Sequence, residues 1–148
     1  MPPHDADPVT MEVPQLSLFV KHASAEELDG LVHGERGPEL LERLAVGMPG
    51  VFRPDRAAGT EAVVHWALRD LGPDGAVYEV VITHGTCAVS PVPARRPTLT
   101  LSIGAVDYLK MVTGNANPVL MFMRGRIRAK GDRMLATKFP GLFDIPKA

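Results

Sequence analysis

Cysteine is almost missing from this sequence of 148 residues: Cys87 stands alone. An internal disulfide framework is therefore excluded, and a reducing, cytoplasmic setting is expected. Long apolar runs are missing too, since no stretch approaches the ~18 residues of a membrane span. The opening residues, MPPHDADPVT, lack the basic segment and apolar run of a secretory signal. The closing residues, DIPKA, differ from the peroxisomal address Ser-Lys-Leu. Neither sign of charge dominates: 16 Lys+Arg against 17 Asp+Glu leave a net charge of −1, so any basic feature must be local.

Signatures of catalysis are absent as well. The sequence holds no G-x-S-x-G elbow, no phosphate loop ending in Gly-Lys-Ser/Thr, no G-x-G-x-x-G and no H-E-x-x-H. Its five histidines, at 4, 22, 33, 65 and 84, never pair at ligand spacing on one element. His65 reads as a half-exposed sheet residue and Cys87 as a small core hydrophobe. No catalytic residue, metal site or cofactor is assigned.

What is present is an ordinary globular composition, 45% hydrophobic and 22% charged, in a length that fits one domain. Prolines at 2, 3, 8 and 14 leave residues 1–20 without a sustained period, so a loose leader is expected there and a single domain over 21–148. Ser24 and Glu27 form a capping-box pattern ahead of Leu28, Leu31 and Val32. A second helix follows, with Pro38 in its first turn, Leu40, Leu41 and Leu44 as its stripe and Gly47 at its end.

The period then shortens to two. EAVVHWALR, AVYEVVITHG, TCAVS and TLTLSI read as four strands, with Leu99, Leu101 and Ile103 facing inward on the last. The links DLGPDG and His84-Gly85 suit hairpins. A helical period returns in AVDYLKMVTG, closed by Gly114. Asn117 and Pro118 open NPVLMFMRG, whose five apolar residues in succession imply a helix that is buried or faces a cavity. RIRAK alternates as a last strand, and Asp132 caps RMLATKF. Runs of strands apart from runs of helices predict an α+β fold: a mainly antiparallel sheet with helices over one face.

Two features near the carboxyl end invite a function. Arg124, Arg126, Arg128, Lys130 and Arg133 fall within ten residues, opposed only by Asp132. One reading is an edge strand whose charge discourages aggregation. The other is a patch for anionic lipid headgroups, worth about 1 kcal/mol per basic residue. Nucleic acid is disfavoured, because no aromatic residue interleaves with the charges. The second feature is the flanking Met and Phe residues, which make either core or a surface adaptable to apolar ligands.

The segment GAVDYLKMVTGNANPVLMFMRGRIRAKGDRMLATKFPGLF resembles the carboxyl half of the sterol carrier protein 2 (SCP2) domain family. An alternating strand, a helix, a glycine, a short helix with a Phe-Met-x-Gly-like turn, a Gly-Asp-terminated strand and a last helix follow in that family's order. The likeness is strongest over residues 98–139 and extends through the hairpins to about residue 60. Where family members often carry an acidic residue before the fourth strand, this chain reads ARRPT. The resemblance implies five strands roofed by helices and an apolar tunnel for fatty acid, fatty acyl-CoA, phospholipid or sterol, without catalysis. Its expected walls are Leu101, Ile103, Val106, Leu109, Val112, Leu120, Phe122, Met134, Leu135 and Phe139. A dry tunnel of about 300 Å3 would cost on the order of 7 kcal/mol, so one that is occupied, partly collapsed or wet is expected. The alternatives are the same fold with a filled cavity, serving as an interaction module, or an accessory domain for an enzyme of acyl substrates.

Overall fold

The computed structural model describes residues 7–148. Six helices and five strands follow in the order α1 (Val13–His22), α2 (Ala25–Val32), α3 (Gly37–Val46), β1 (Ala62–Leu68), β2 (Ala76–Thr83), β3 (Thr86–Ser90), β4 (Leu99–Ile103), α4 (Ala105–Val112), α5 (Pro118–Met123), β5 (Arg128–Gly131) and α6 (Arg133–Lys138). The sheet order is β3-β2-β1-β4-β5. Three of its pairings are antiparallel and the central one, β1 with β4, is parallel. The expected α+β class and mainly antiparallel sheet hold.

Local chemistry accounts for the punctuation. The Ser24 hydroxyl accepts from the Glu27 amide while the Glu27 carboxylate accepts from the Ser24 amide, a reciprocal capping box. Asn117 caps α5 by accepting from the Val119 and Leu120 amides, and Asp132 caps α6 by accepting from the Leu135 amide, in both cases without a returning bond. Helix α4 has no cap of its own at Gly104; Asp70, just past β1, accepts from the Ala105 amide at 2.8 Å instead. That bond sets α4 against the sheet. The β2–β3 hairpin turns on His84 and Gly85, both at positive φ, as a two-residue primed turn requires.

Every second residue of the three inner strands packs beneath the helices: Val64, Trp66 and Leu68 on β1, Tyr78, Val80 and Ile82 on β2, and Leu99, Leu101 and Ile103 on β4 are all buried. Leu16, Leu28, Leu40, Leu41 and Leu109 meet them from the helices.

Three expectations need correction. The loose leader over 1–20 does not describe residues 13–20, which form most of α1; Leu16 and Val20 are buried, and Pro14 lies in the first turn, where its missing N–H costs nothing. Residues 1–6 of that leader lie outside the described residues. The last strand begins at Arg128 rather than Arg126, because the Arg126 and Ile127 amides close α5 by donating to the Met121 carbonyl. Finally, the all-apolar α5 is not wrapped in protein: only Met121 is buried, and Val119, Leu120 and Met123 are 53%, 45% and 78% exposed.

Gly114 stops α4 at φ +76°, and a Cβ there would meet the Pro146 carbonyl oxygen at 1.9 Å. Gly114→Ala should therefore lower stability by about 1–3 kcal/mol, measured as the denaturant midpoint. The same variant should loosen residues 144–148 in hydrogen exchange.

Candidate lipid-binding cleft

Between the sheet and the helices lies an apolar cleft centred on aromatic rings. Trp66 of β1 sits edge-on to Tyr108 of α4, with centroids 5.6 Å apart, and is 6.1 Å from Phe139 just after α6. Phe139 in turn meets Phe143 at 5.2 Å, and Tyr78 of β2 meets Tyr108 at 5.7 Å. These separations suit offset and edge-to-face packing. Val80, Met111, Val112 and Ala45 complete the walls around a cavity of about 40 Å3. That volume holds a water or two, against the roughly 300–1,000 Å3 of a pocket that encloses a ligand. The cleft is narrow.

It does not end there. A groove of about 400 Å3 runs between α1, the end of α3 and residues 145–148, sharing Met48, Val112 and Ile145 with the cleft. Its walls are mostly apolar, with Arg43 and Lys147 as the cations. A second, more open depression of about 780 Å3 shares Met111, Pro118, Pro140, Phe143 and Ile145 with the cleft. Ile145 thus borders all three. The segment carrying it is held by the Asp144 amide on the Val51 carbonyl at 2.8 Å, by an Arg53–Asp144 ion pair at 3.2 Å, and by the Ala148 amide on the Gly114 carbonyl at 3.1 Å.

Of the ten walls expected from sequence, Val112 and Phe139 line the cleft. Leu101, Ile103 and Leu109 are solid core, each wholly buried, and border neither cleft nor groove. Leu135 is buried as well, while Val106 and Phe122 are half-buried against the core, away from the cavity. Leu120 at 45% and Met134 at 85% exposure face outward. Sequence reasoning missed Trp66, Val80, Tyr108 and Met111 as walls. The available signal was the inward register of β1 and β2 opposite the Tyr108–Met111 face of α4.

The basic residues do not share one surface. Arg128 and Lys130 pair with Ser102 and Thr100 and so point to the sheet face opposite the helices, where Arg69 donates to the Ser102 hydroxyl at 3.2 Å. Arg126 precedes the strand and forms an ion pair with Asp107 of α4 at 3.2 Å. Arg124 caps the end of α5, and Arg133 opens α6; both are exposed.

Titratable groups near the sheet have structural explanations. Burial raises the Tyr108 hydroxyl pKa strongly, and the Tyr78 hydroxyl to about 12 with help from Glu42. Burial also lifts the Cys87 thiol to about 11, which keeps it protonated and unreactive. Glu79, 1% exposed on the opposite sheet face, is the exception. Burial alone would raise its pKa. His65 at 2.9 Å, the Arg95 and Ala94 amides at 2.8 and 3.1 Å, and the Arg95 guanidinium outweigh that and hold it at about 2. The ARRPT segment is thereby tied to the sheet through its arginine. Among the described residues no His, Cys, Asp and Glu cluster could hold a metal ion, and no helix is long and apolar enough to cross a membrane.

An α+β domain with an apolar cleft between a five-stranded sheet and its roof of helices is the class this geometry defines. Residues 52–144 match the SCP-2 sterol transfer family, and the chain belongs to that family. It is 30% identical over 84 residues to sterol carrier protein 2 of Arabidopsis thaliana, which covers 56% of this chain and 68% of that one. It is 37% identical over 46 residues, or 31% of its length, to hydroxysteroid dehydrogenase-like protein 2 of Xenopus tropicalis, of which it spans only 11%. The solution structure of the sterol carrier protein domain 2 of Helicoverpa armigera shares the fold with a TM-score of 0.55 at 18% identity, over 74% of this chain and 86% of that one. Lipid binding or transfer, in the general sense, follows from the family.

Because Glu79 titrates lower in the folded chain than in the unfolded one, its stabilisation is present above the ordinary glutamate pKa and lost as pH falls toward about 2. Glu79→Gln should reduce stability at neutral pH and flatten the loss of stability below pH ~4.5, measured by denaturant titrations across that range.

Proposed function

We propose that this chain binds the alkyl chain of a fatty acid, fatty acyl-CoA, phospholipid or sterol and carries it without catalysing a reaction. The observation that carries the reading is the continuity of cleft and groove through Met48, Val112 and Ile145. Alkyl contact is what those walls offer. Burying a 16-carbon chain yields about 12 kcal/mol gross at ~0.8 kcal/mol per methylene, before ordering costs. That is ample to displace an Ile145 segment held by a few surface bonds, each net ~1 kcal/mol. The groove also places the Arg43 and Lys147 charges where an acidic headgroup would remain outside. The lone Cys87, with no second cysteine to pair with, suits a reducing, cytoplasmic setting.

A second reading has one observation in its favour. The inner cavity of about 40 Å3 would suit a filled SCP2-like domain that serves as an interaction module or assists an acyl-processing enzyme. Delipidation followed by titration with a fluorescent fatty acid separates the two. Saturable binding displaced by unlabelled lipid is the carrier's result, and its absence is the module's. Met48→Trp, at the junction of cleft and groove, should weaken that binding about tenfold with the fold retained by circular dichroism.

Basic residues supply attraction to anionic bilayers in this reading. Arg128 and Lys130 have no ion-pair partner among the described residues, whereas Arg126 is engaged by Asp107. Arg128→Glu with Lys130→Glu should therefore reduce co-sedimentation with anionic vesicles at low salt and leave thermal stability unchanged. Unaltered sedimentation would remove these residues from the docking account.

A further inference from the structure

Helix α5 leaves an oily face with no partner. Val119 and Met123 are four residues apart and Leu120 and Met123 three, so the three fall within one arc of about 100°, and all three are 45% exposed or more. Met121 is the only residue of α5 that is buried, so the core does not account for the other apolar side chains of this face. The depression that Val119 borders carries positive charge. Its lining carries Lys21, Lys110 and Lys147 and one acidic side chain, Asp144, and Lys21 also donates to the Ala148 oxygen at 3.4 Å. Arg124 follows directly at the end of the helix. Oily side chains ringed by cations match the interface of an anionic bilayer, whose headgroups meet the cations while its acyl boundary accepts the apolar residues.

We propose that α5 is a bilayer-inserting tip: Val119, Leu120 and Met123 enter the acyl boundary of an anionic membrane while Lys110, Lys147 and Arg124 stay among its headgroups. The tip lies on the rim of the cleft, because Pro118 borders both the aromatic cavity and the outer depression. Insertion therefore sets one mouth of the cleft against the membrane, which deepens, and rests on, the lipid-carrier reading. It differs from electrostatic docking through β5 in one respect: part of the binding survives high salt, since burial of apolar surface is not screened.

The test uses the whole chain and vesicles of phosphatidylcholine with or without phosphatidylserine, at low and high salt. Met123→Asp, at a site 78% exposed, should leave the fold intact and reduce partitioning onto phosphatidylserine vesicles about tenfold at high salt. Val92→Asp, 70% exposed in the β3–β4 connection, should leave partitioning unchanged. Met123→Trp should add emission that brominated acyl chains quench. Parental partitioning of Met123→Asp would overturn the proposal, as would an equal loss in Val92→Asp or an unquenched Trp. So would a dimer of the parent that Met123→Asp dissociates, because the face would then belong to a second copy. Fatty-acid titration run in parallel separates the two ideas: binding kept in Met123→Asp with partitioning lost supports the tip, whereas no fatty-acid binding in any variant ends the carrier reading and leaves the vesicle result standing.

Discussion

The structure depends on one apolar layer, in which the inner face of the sheet and the undersides of the helices exclude water together. Trp66, Tyr108 and Phe139 are its keystones, drawn from β1, α4 and the turn after α6. These segments are distant in sequence, and none could bury its ring alone. Aromatic packing adds only about 0.5–1.5 kcal/mol per pair beyond area burial. Its greater importance is geometric, since flat rings meeting edge to face leave narrow gaps where branched aliphatic chains would interlock. The cleft lies at that junction, bordered by the same side chains that close the domain.

Polar groups around this layer are used to fix positions. Asp70 caps a helix that cannot cap itself, joining the end of β1 to the start of α4. Glu79 gathers His65 and the Arg95 segment on the far side of the sheet, so the connection into β4 is held although it contains no regular structure. Neither group faces the cleft. The chemistry of the molecule is divided accordingly, with charge outside holding the frame and hydrocarbon inside.

How much could be read from sequence follows from the range of the forces involved. Alternation in TLTLSI and AVVHWALR and the caps at Ser24, Asn117 and Asp132 are local signals, and the strands and helices they announce are present. Neighbour relations are not local: no residue of β1 declares that β4 will lie beside it in parallel. Pro14 concealed α1 because a proline in a first helical turn and a proline in a loop look alike until the burial of Leu16 is known. For the site, Leu101, Ile103 and Leu109 were identified correctly as inward-facing, but inward did not mean bordering a space. Cavities arise from what fails to touch, which is decided by several elements jointly and is written in none of them.

The parallel β1–β4 pairing has a consequence for how the domain comes together. Strands β1, β2 and β3 are joined by the short link over residues 69–75 and the tight turn at His84-Gly85, which makes their pairing local. Closing β4 onto β1 requires contacts such as Val63 with Thr98, 35 residues apart, which costs about 1–1.5 kcal/mol more loop entropy than closing the β1–β2 link. Helices α4, α5 and α6 follow β4 in the chain and reach their places with it. That part of the roof joins the sheet only when β4 does, and until then Trp66 lacks the Tyr108 and Phe139 rings that it packs against.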